Sequence, residues 1–396
     1  MIKNTPAMGW NSWNTFAAHI NEELILQSAE TMVKSGLKDA GYEYVVIDDC
    51  WSLKERDKNG RLVADPEKFP HGMRYLADQI HAMGLKFGMY SCAGTVTCAG
   101  YPASYEHEFT DARTFADFGV DYLKYDYCFR SIATPGHLLY KRMGIALANC
   151  GRDILFSNCS WGADDTRVWI QETGANSFRS TGDIFDSWKS IKGIAQSQLR
   201  LQEYNGVGCF NDMDMLVCGM KGEGHVGDGG CTPEEYFTHF ALWCFCSSPL
   251  MIGCDIRNMD DATHALLTNP DLIRINQDKK ASHPFFLNGG YMPKNPAPSA
   301  ANPYYYASYP IDTPIMAKFL DDGKIAIMAV NFSDGPTSQW TTSFNTESVG
   351  VPESCGKTLR MRDIASDEVT VVKNGWRAFN IEPHASRVFL CDVVDA

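Results

Sequence analysis

Short apolar runs alternate with helical patterns from the N-terminus to about residue 275. The runs are rich in β-branched and aromatic residues and bounded by turn residues, so they read as strands. They cover residues 7–11, 42–49, 85–91, 120–123, 154–161, 177–183, 208–211 and 249–255. Between them a helix is predicted from Glu22 to about Ser35, capped by Asn21 and ended by Gly36. A second carries Met73, Leu76, Ile80 and Met83 on one face and is closed by Gly84. Others are predicted over 111–118 and 187–201, and from a capping box at Thr232 and Glu235 with Pro233 at the first position. A last one runs to about Ile275. Eight strand–helix units in this length predict an α/β fold, a (β/α)8 TIM barrel. A doubly wound open sheet is weaker, because no GxGxxG turn follows the first strand.

The pattern then changes. KNPAPSAANPYYYASYP is rich in Pro, Ala, Asn and Tyr and reads as a linker or lid loop. Beyond it AKFLDDGKIAIMAVNF reads as two strands around Asp322-Gly323, and Asn374-Gly375 is a second hairpin signal. The expected division is a catalytic barrel over 1–285, a loop over 286–310 and a C-terminal antiparallel β-sandwich over 311–396.

Composition narrows the partners. Of the 396 residues 44% are hydrophobic, enough for a sizeable core, and the formal charge is −13 with no basic run. Nucleic acid is therefore not an expected partner. No stretch reaches the roughly 18 apolar residues of a membrane helix. MIKNTPAMGW has no apolar run after its lysine, so no signal peptide is read there and a cytoplasmic location is expected. The 14 cysteines are scattered without CxxC pairs and several sit in apolar runs, which suits buried thiols better than zinc ligands. A neutral small molecule fits best, with 17 Tyr and 9 Trp to stack on it.

TIM-barrel chemistry sits at the C-terminal ends of the strands. There this chain places Trp13, Asp48, Asp49, Tyr90, Lys124, Asp126, Ser160, Trp161, Arg179, Asp183, Asp212, Asp214 and Asp255. Lys124 and Asp126 lie two positions apart on one strand and so point to one side. An ammonium beside it keeps a carboxylate ionised, which suits a nucleophile, although strand-end ion pairs are also common. Many carboxylates among aromatics suggest glycoside hydrolysis, which needs two carboxyl groups in different roles.

MGWNSW, VVIDDCW, FGMYS…TCAG, FADFGVDYLKYDYC, FRSTGDIFDSW and FNDMDML, in this order, resemble glycoside hydrolase family 27, the α-galactosidases and α-N-acetylgalactosaminidases. The resemblance runs over about residues 5–280, and NIEPHASRVF is similar to the family's C-terminal sandwich. It implies a retaining exo-glycosidase that needs no metal or cofactor. Asp126 matches the family's nucleophile and Asp183 its general acid/base; Asp186, close by, is the residue most easily mistaken for the acid. Trp13, Asp48, Asp49, Tyr90, Lys124, Arg179 and Asp214 match its sugar pocket. Asp48 and Asp49 would hold the 6- and 4-hydroxyls, Lys124 the 3- and 4-hydroxyls, and Arg179 the 2-position.

Three departures qualify the resemblance. Where α-galactosidases carry a Glu after the cysteine of the fifth-strand motif, this chain has Ser160, with Trp161 and Ala163 following. Small side chains there resemble the α-N-acetylgalactosaminidase pattern and would leave room for an N-acetyl group. The cysteines that secreted relatives pair with Cys50 and Cys159 are replaced by Ala18 and Ala175, which fits a reducing compartment. Cys98 and Cys128 keep the family's remaining pair as a possible disulfide, expected to be reduced in the cell. Last, GEGHVGDGG and the loop before residue 310 look long enough to gate the pocket, to form a contact in a homo-oligomer, or to be plain surface. A non-catalytic galactose-binding barrel, a metal-dependent hydrolase using Asp48, Asp126, Asp212 and Asp214, and a β-L-arabinopyranosidase are the rival readings.

Overall fold

The computed structural model describes residues 4–288, 312–338, 342–373 and 375–396. The chain divides into two compact units. One comprises the described residues up to Ser187 together with Tyr204–Gly230 and Ser248–Thr268. The other comprises Trp188–Glu203, Cys231–Ser247 and the described residues from Asn269 onward.

The first unit is built on eight parallel strands: β1 Met8–Asn11, β2 Tyr44–Val46, β3 Lys86–Cys92, β4 Tyr122–Asp126, β5 Leu155–Cys159, β6 Ser177–Arg179, β7 Phe210–Asp212 and β8 Leu250–Ile252. Each pairs with its sequence neighbour, and β8 pairs with β1. The row closes just past β7: the Leu216 amide bonds to the Met251 carbonyl (2.8 Å) and the Gly253 amide to the Leu216 carbonyl (2.9 Å). This is the TIM barrel expected from the strand–helix alternation. Inside it Tyr44, Val46, Tyr122, Leu155, Met215 and Met251 form one apolar cluster. The strands read as near-continuous apolar runs because both of their faces are covered.

Helix Glu22–Lys34 is capped as expected, the Asn21 side chain accepting the Leu24 amide at 2.9 Å. Helix Gly72–Ala82 buries Met73, Leu76 and Ile80. A helix not anticipated, Gly136–Ala148, follows β4 and buries Leu139, Tyr140, Met143, Ala146 and Leu147 at helical spacing. The expected last helix is two, Asp261–Leu267 and Pro270–Asn276. Pro270 disfavours helical backbone at Asn269, which instead caps the second of them. Strand six is also shorter than expected, since the chain leaves it after Arg179 and forms the loop that carries Asp183.

The second unit holds helices Trp188–Gln198, Pro233–Phe245 and Pro270–Asn276 with an antiparallel sandwich. The capping box forms in full, with bonds of 2.8 and 3.2 Å between Thr232 and Glu235. Six strands run in the order Phe285–Asn288, Ile315–Phe319, Ile325–Val330, Ser386–Asp395, Lys357–Asp363 and Val369–Val372; Ser343–Asn345 pairs with Trp376–Ala378. Ile315, Ile327, Phe344, Phe379 and Phe389 share the core between the sheets. The hairpin at Asp322-Gly323 forms. The strands on either side of Asn374-Gly375 instead join different sheets, so the chain there changes layer rather than turning back on itself. Residues 286–288 of the expected 286–310 loop belong to a strand, and from 289 to 310 it lies outside the described residues.

Candidate active site

The residues after β1, β2, β3, β4, β5, β6 and β7 meet around a cavity of about 200 Å³. It is lined by Trp13, Asp48, Asp49, Tyr90, Lys124, Asp126, Trp161, Arg179, Asp183 and Asp214, together with Cys98 and Cys128. Asn11 ends β1 and anchors the neighbouring strand, its amide donating to Asp48 Oδ2 at 2.8 Å. Lys124 Nζ donates to the same oxygen at 2.8 Å. Asp49 is held through both oxygens by backbone amides, from Cys50 at 2.7 Å and Ala99 at 3.0 Å.

Lys124 and Asp126 do share one face of β4, and both reach the cavity. Asp126 accepts the Tyr90 hydroxyl on Oδ2 (3.1 Å) and the Tyr127 amide on Oδ1 (2.8 Å). Burial pushes its carboxyl up, and the Lys124 and Arg179 charges recover only part of that rise. Burial would lower the Lys124 ammonium, but Asp48 and other neighbouring negative charge hold it above its ordinary value.

Arg179 is buried and spread over several partners. Its Nε donates to the Thr181 carbonyl (3.2 Å), one terminal nitrogen to Cys159 Sγ (3.2 Å), and the other pairs with Asp183 and lies 3.4 Å from Asp214. Asp214 sits in the left-handed region at φ 77° and accepts the Ile184 amide at 2.8 Å and the Met215 amide at 2.7 Å. Asp183 keeps 67% of its side chain exposed. Its partial burial favours the neutral form, yet the Arg179 guanidinium outweighs this and holds the carboxyl below the usual range. Asp186, the residue most easily confused with it, is fully buried and accepts the Gly222 amide at 2.6 Å.

Four candidates stand elsewhere. Ser160 is buried with its hydroxyl 2.6 Å from Thr166 Oγ1, and Ala163 opens a 3-10 turn; of the fifth-strand residues expected at the sugar's 2-position, Trp161 lines the cavity and these two do not. Asp255 caps a short 3-10 turn and pairs with Arg257 at 2.8 Å. Asp212 lies beneath the cavity, in a small void shared with Lys124, Arg179 and Asp214. Cys98 and Cys128 are joined in a disulfide, and the Tyr90 hydroxyl lies 3.3 Å from Cys98 Sγ. Among the described residues the grouping with metal-ligand spacing is Cys98, Asp126 and Cys128, whose sulfurs that bond ties up.

Other lining residues were not read from the sequence. His225 and Val226 reach the cavity from the glycine-rich loop, which runs against the first strand's turn through bonds from their amides to Thr15 (3.2 Å) and Asn14 (3.1 Å). His225 sets its ring edge-on to Trp13, with centroids 5.3 Å apart. Phe185 stands at the rim, 47% exposed. The length of GEGHVGDGG was the available signal; which of its side chains faces inward depends on backbone that no periodicity describes.

The family model for Melibiase_2, Alpha galactosidase A, matches residues 5–278. The alpha-galactosidase of Cyamopsis tetragonoloba is 39% identical over 390 residues, 98% of this chain and 86% of its own. Alpha-galactosidase A of Cellvibrio japonicus is 47% identical over 289 residues, 70% of this chain and 69% of its own. The crystal structure of alpha-galactosidase I from Mortierella vinacea superposes with a TM-score of 0.85 at 30% identity, over 100% of this chain and 99% of that one. A family match across most of the chain decides the matter: the chain belongs to the melibiase family, glycoside hydrolase family 27, and is a glycosidase.

Proposed function

We propose that the protein is a retaining exo-α-galactosidase that releases terminal α-linked D-galactose by double displacement, with Asp126 as nucleophile and Asp183 as acid/base. The observation that carries this reading is the pair itself. Asp126, buried between Lys124 and Tyr90, and Asp183, largely exposed and paired with Arg179, open into one small cavity. Asp48, Asp49 and Lys124 form a fixed polar end for the 3-, 4- and 6-hydroxyls, and Trp13 offers an apolar face to the ring.

In the first step an Asp126 oxygen bonds to the anomeric carbon as the bond to the leaving oxygen breaks. Asp183 gives that oxygen its proton. In the second, Asp183 takes a proton from water, the water oxygen displaces Asp126, and the α-configuration returns. The pairing with Arg179 favours the ionised form of Asp183, which the second step requires. The first step needs it protonated. Bound sugar would bury Asp183 beside the charge of Asp126 and draw Arg179 toward the 2-hydroxyl, and both changes raise its carboxyl.

The N-acetylgalactosamine alternative rested on Ser160 and Ala163, which do not line the cavity; that supports plain galactose. Hydrolysis of an aryl α-galactoside followed by NMR should release α-galactose first, and the matching α-N-acetylgalactosaminide should be cleaved far more slowly. Asp126→Asn should lose more than the roughly 10²–10⁴-fold that a general acid supplies. Asp183→Asn should lose about that much, and less on a nitrophenyl leaving group that departs without a proton. First release of β-galactose, or full activity in Asp126→Asn, would sink the mechanism.

A further inference from the structure

Cys98, on the loop after β3, and Cys128, just past β4, line the same cavity as Asp126 and Asp183. Cys98 is exposed and Cys128 half-buried. Their bond therefore borders open space, and an exposed disulfide is the kind that a reductant can reach. Among the other cysteines Cys355 is exposed and the rest are buried or half-buried.

The bond links two parts of the site. Ala99, next to Cys98, gives its amide to Asp49 Oδ2 at 3.0 Å. Tyr127, next to Cys128, gives its amide to Asp126 Oδ1 at 2.8 Å. The two loops are also held together without the sulfur bond. The Ala93 amide bonds to the Asp126 carbonyl (2.9 Å) and the Thr95 amide to the Phe129 carbonyl (3.3 Å). Cys92 Sγ lies 3.1 Å from the Cys128 carbonyl oxygen. Opening the disulfide would leave two thiols facing each other on a frame that backbone bonds still hold.

Asp126 completes a donor set. One of its carboxylate oxygens and the two sulfurs lie within 4.8 Å of one another. The Tyr90 hydroxyl, 3.1 Å from Asp126 Oδ2 and 3.3 Å from Cys98 Sγ, brings sulfur and carboxylate to one point. Two thiolates and a carboxylate suit zinc, with Zn–S bonds of about 2.3 Å and sulfurs about 3.7 Å apart around a tetrahedral ion. The cysteine Cα atoms, 5.2 Å apart, permit that separation through side-chain rotation. Lys124 and Arg179, on the same cavity, favour thiolate over thiol. They also repel a cation, so the carboxylate by itself is a poor site and both thiolates are needed.

We propose that Cys98, Cys128 and Asp126 form a redox-gated site for a thiophilic divalent cation of the zinc type. It is closed while the cysteines are joined, open once they are reduced, and inhibitory when filled. Reduction by a phosphine consumes one water and yields two thiols and a phosphine oxide. Zinc then bonds to both sulfurs and to an Asp126 oxygen, two protons leave for solvent, and water keeps a fourth position. The Asp126 oxygen is then withheld from the anomeric carbon. The inhibition rests on Asp126 being the nucleophile; the binding of metal does not.

The test reduces the protein with a water-soluble phosphine, removes the reagent under inert gas, and follows an aryl α-galactoside with and without zinc(II). Reduced wild type should lose activity about tenfold with zinc at about ten times its dissociation constant, and a chelator should restore it. Oxidised wild type and reduced Cys98→Ser should each keep the rate they show without zinc. Cobalt(II) in place of zinc should give reduced wild type a thiolate-to-metal charge-transfer band that the other two lack. Absence of that band overturns the site, and so does equal inhibition of oxidised wild type or of Cys98→Ser. If reduction by itself abolishes turnover, the cobalt band decides. Oxidised wild type inactive on the galactoside would overturn the α-galactosidase reading and leave the metal site to be judged by the cobalt spectrum.

Discussion

Asp212 ends β7 in register with Arg179 of β6, inside the barrel rather than at its rim. Its Oδ1 accepts the Asp214 amide at 2.9 Å and so helps to set the left-handed turn that presents Asp214. Burial, and then the charge of Asp214, push its carboxyl up to about 6. An acid raised in this way binds more protons folded than unfolded between its two values, so stability falls as pH climbs from the ordinary 3.8 to about 6. The penalty is complete at neutral pH, on the order of 3 kcal/mol. Asp212→Asn keeps an acceptor for the Asp214 amide and removes the charge. It should raise Tm over wild type at pH 7 and show little gain at pH 4, by calorimetry at both values; a gain confined to pH 4 would contradict the sign. The sequence placed Asp212 and Asp214 together at one strand end. That one lies beneath the floor and the other on the wall follows from the turn at Asp214, which no residue pattern announces. By contrast the pairing of Lys124 with Asp126 was legible, because a strand's two-residue period leaves no other choice of side.

Elements read well where one regular period runs for several residues, and poorly where the chain changes direction. The barrel strands were visible as buried apolar runs. The strands around Gly375 carried a turn signal that serves a layer crossing as readily as a hairpin. The helix Gly136–Ala148 had the period of a helix but follows an irregular loop without a capping side chain. Between β3 and β4 the decisive contact involves a residue with no side chain. A Cβ at Gly94 would run into the Cys128 carbonyl oxygen and press on the backbone of Phe129, where the two strand-end loops cross. Gly94 is not needed for an unusual φ; its role is the space. Gly94→Ala should therefore destabilise the protein by about 1–3 kcal/mol. It should also lower kcat/KM, because the displaced backbone adjoins Tyr127 and Asp126. Gly193→Ala, on the exposed side of helix Trp188–Gln198 with open space around it, is the matched control and should stabilise by about 0.5–1 kcal/mol. Urea denaturation of the two variants that moved both in the same direction would remove the steric argument.

For the molecule as a whole, charge and composition set expectations about partners without naming one, and the chain divides into two compact units that are not contiguous in sequence. Helices Trp188–Gln198 and Pro233–Phe245, laid down between barrel strands, fall in the second unit with the sandwich, which a linear reading cannot see. Lys318 shows what this does to one charge. It lies on strand Ile315–Phe319 in a run that looked like plain alternation, yet it is fully buried. Its ammonium donates to Ser247 Oγ and to the Ile275 carbonyl at 3.0 Å. Burial pulls it down to about 8, from an ordinary 10.5, although the charge of Asp278 opposes the shift. A base lowered in this way binds fewer protons folded than unfolded between those values, so its contribution to stability rises as pH climbs from about 8 to 10.5. The rise is on the order of 3 kcal/mol. Lys318→Met removes the titration and also leaves two buried acceptors without their donor, so its stability at pH 7 mixes opposing effects. The pH slope does not: the advantage of wild type over Lys318→Met should be nearly level from pH 7 to about 8 and then grow to pH 10.5. Denaturant midpoints for both proteins across that range measure it, and a difference that stays flat or shrinks would mean that Lys318 is not held as a desolvated cation.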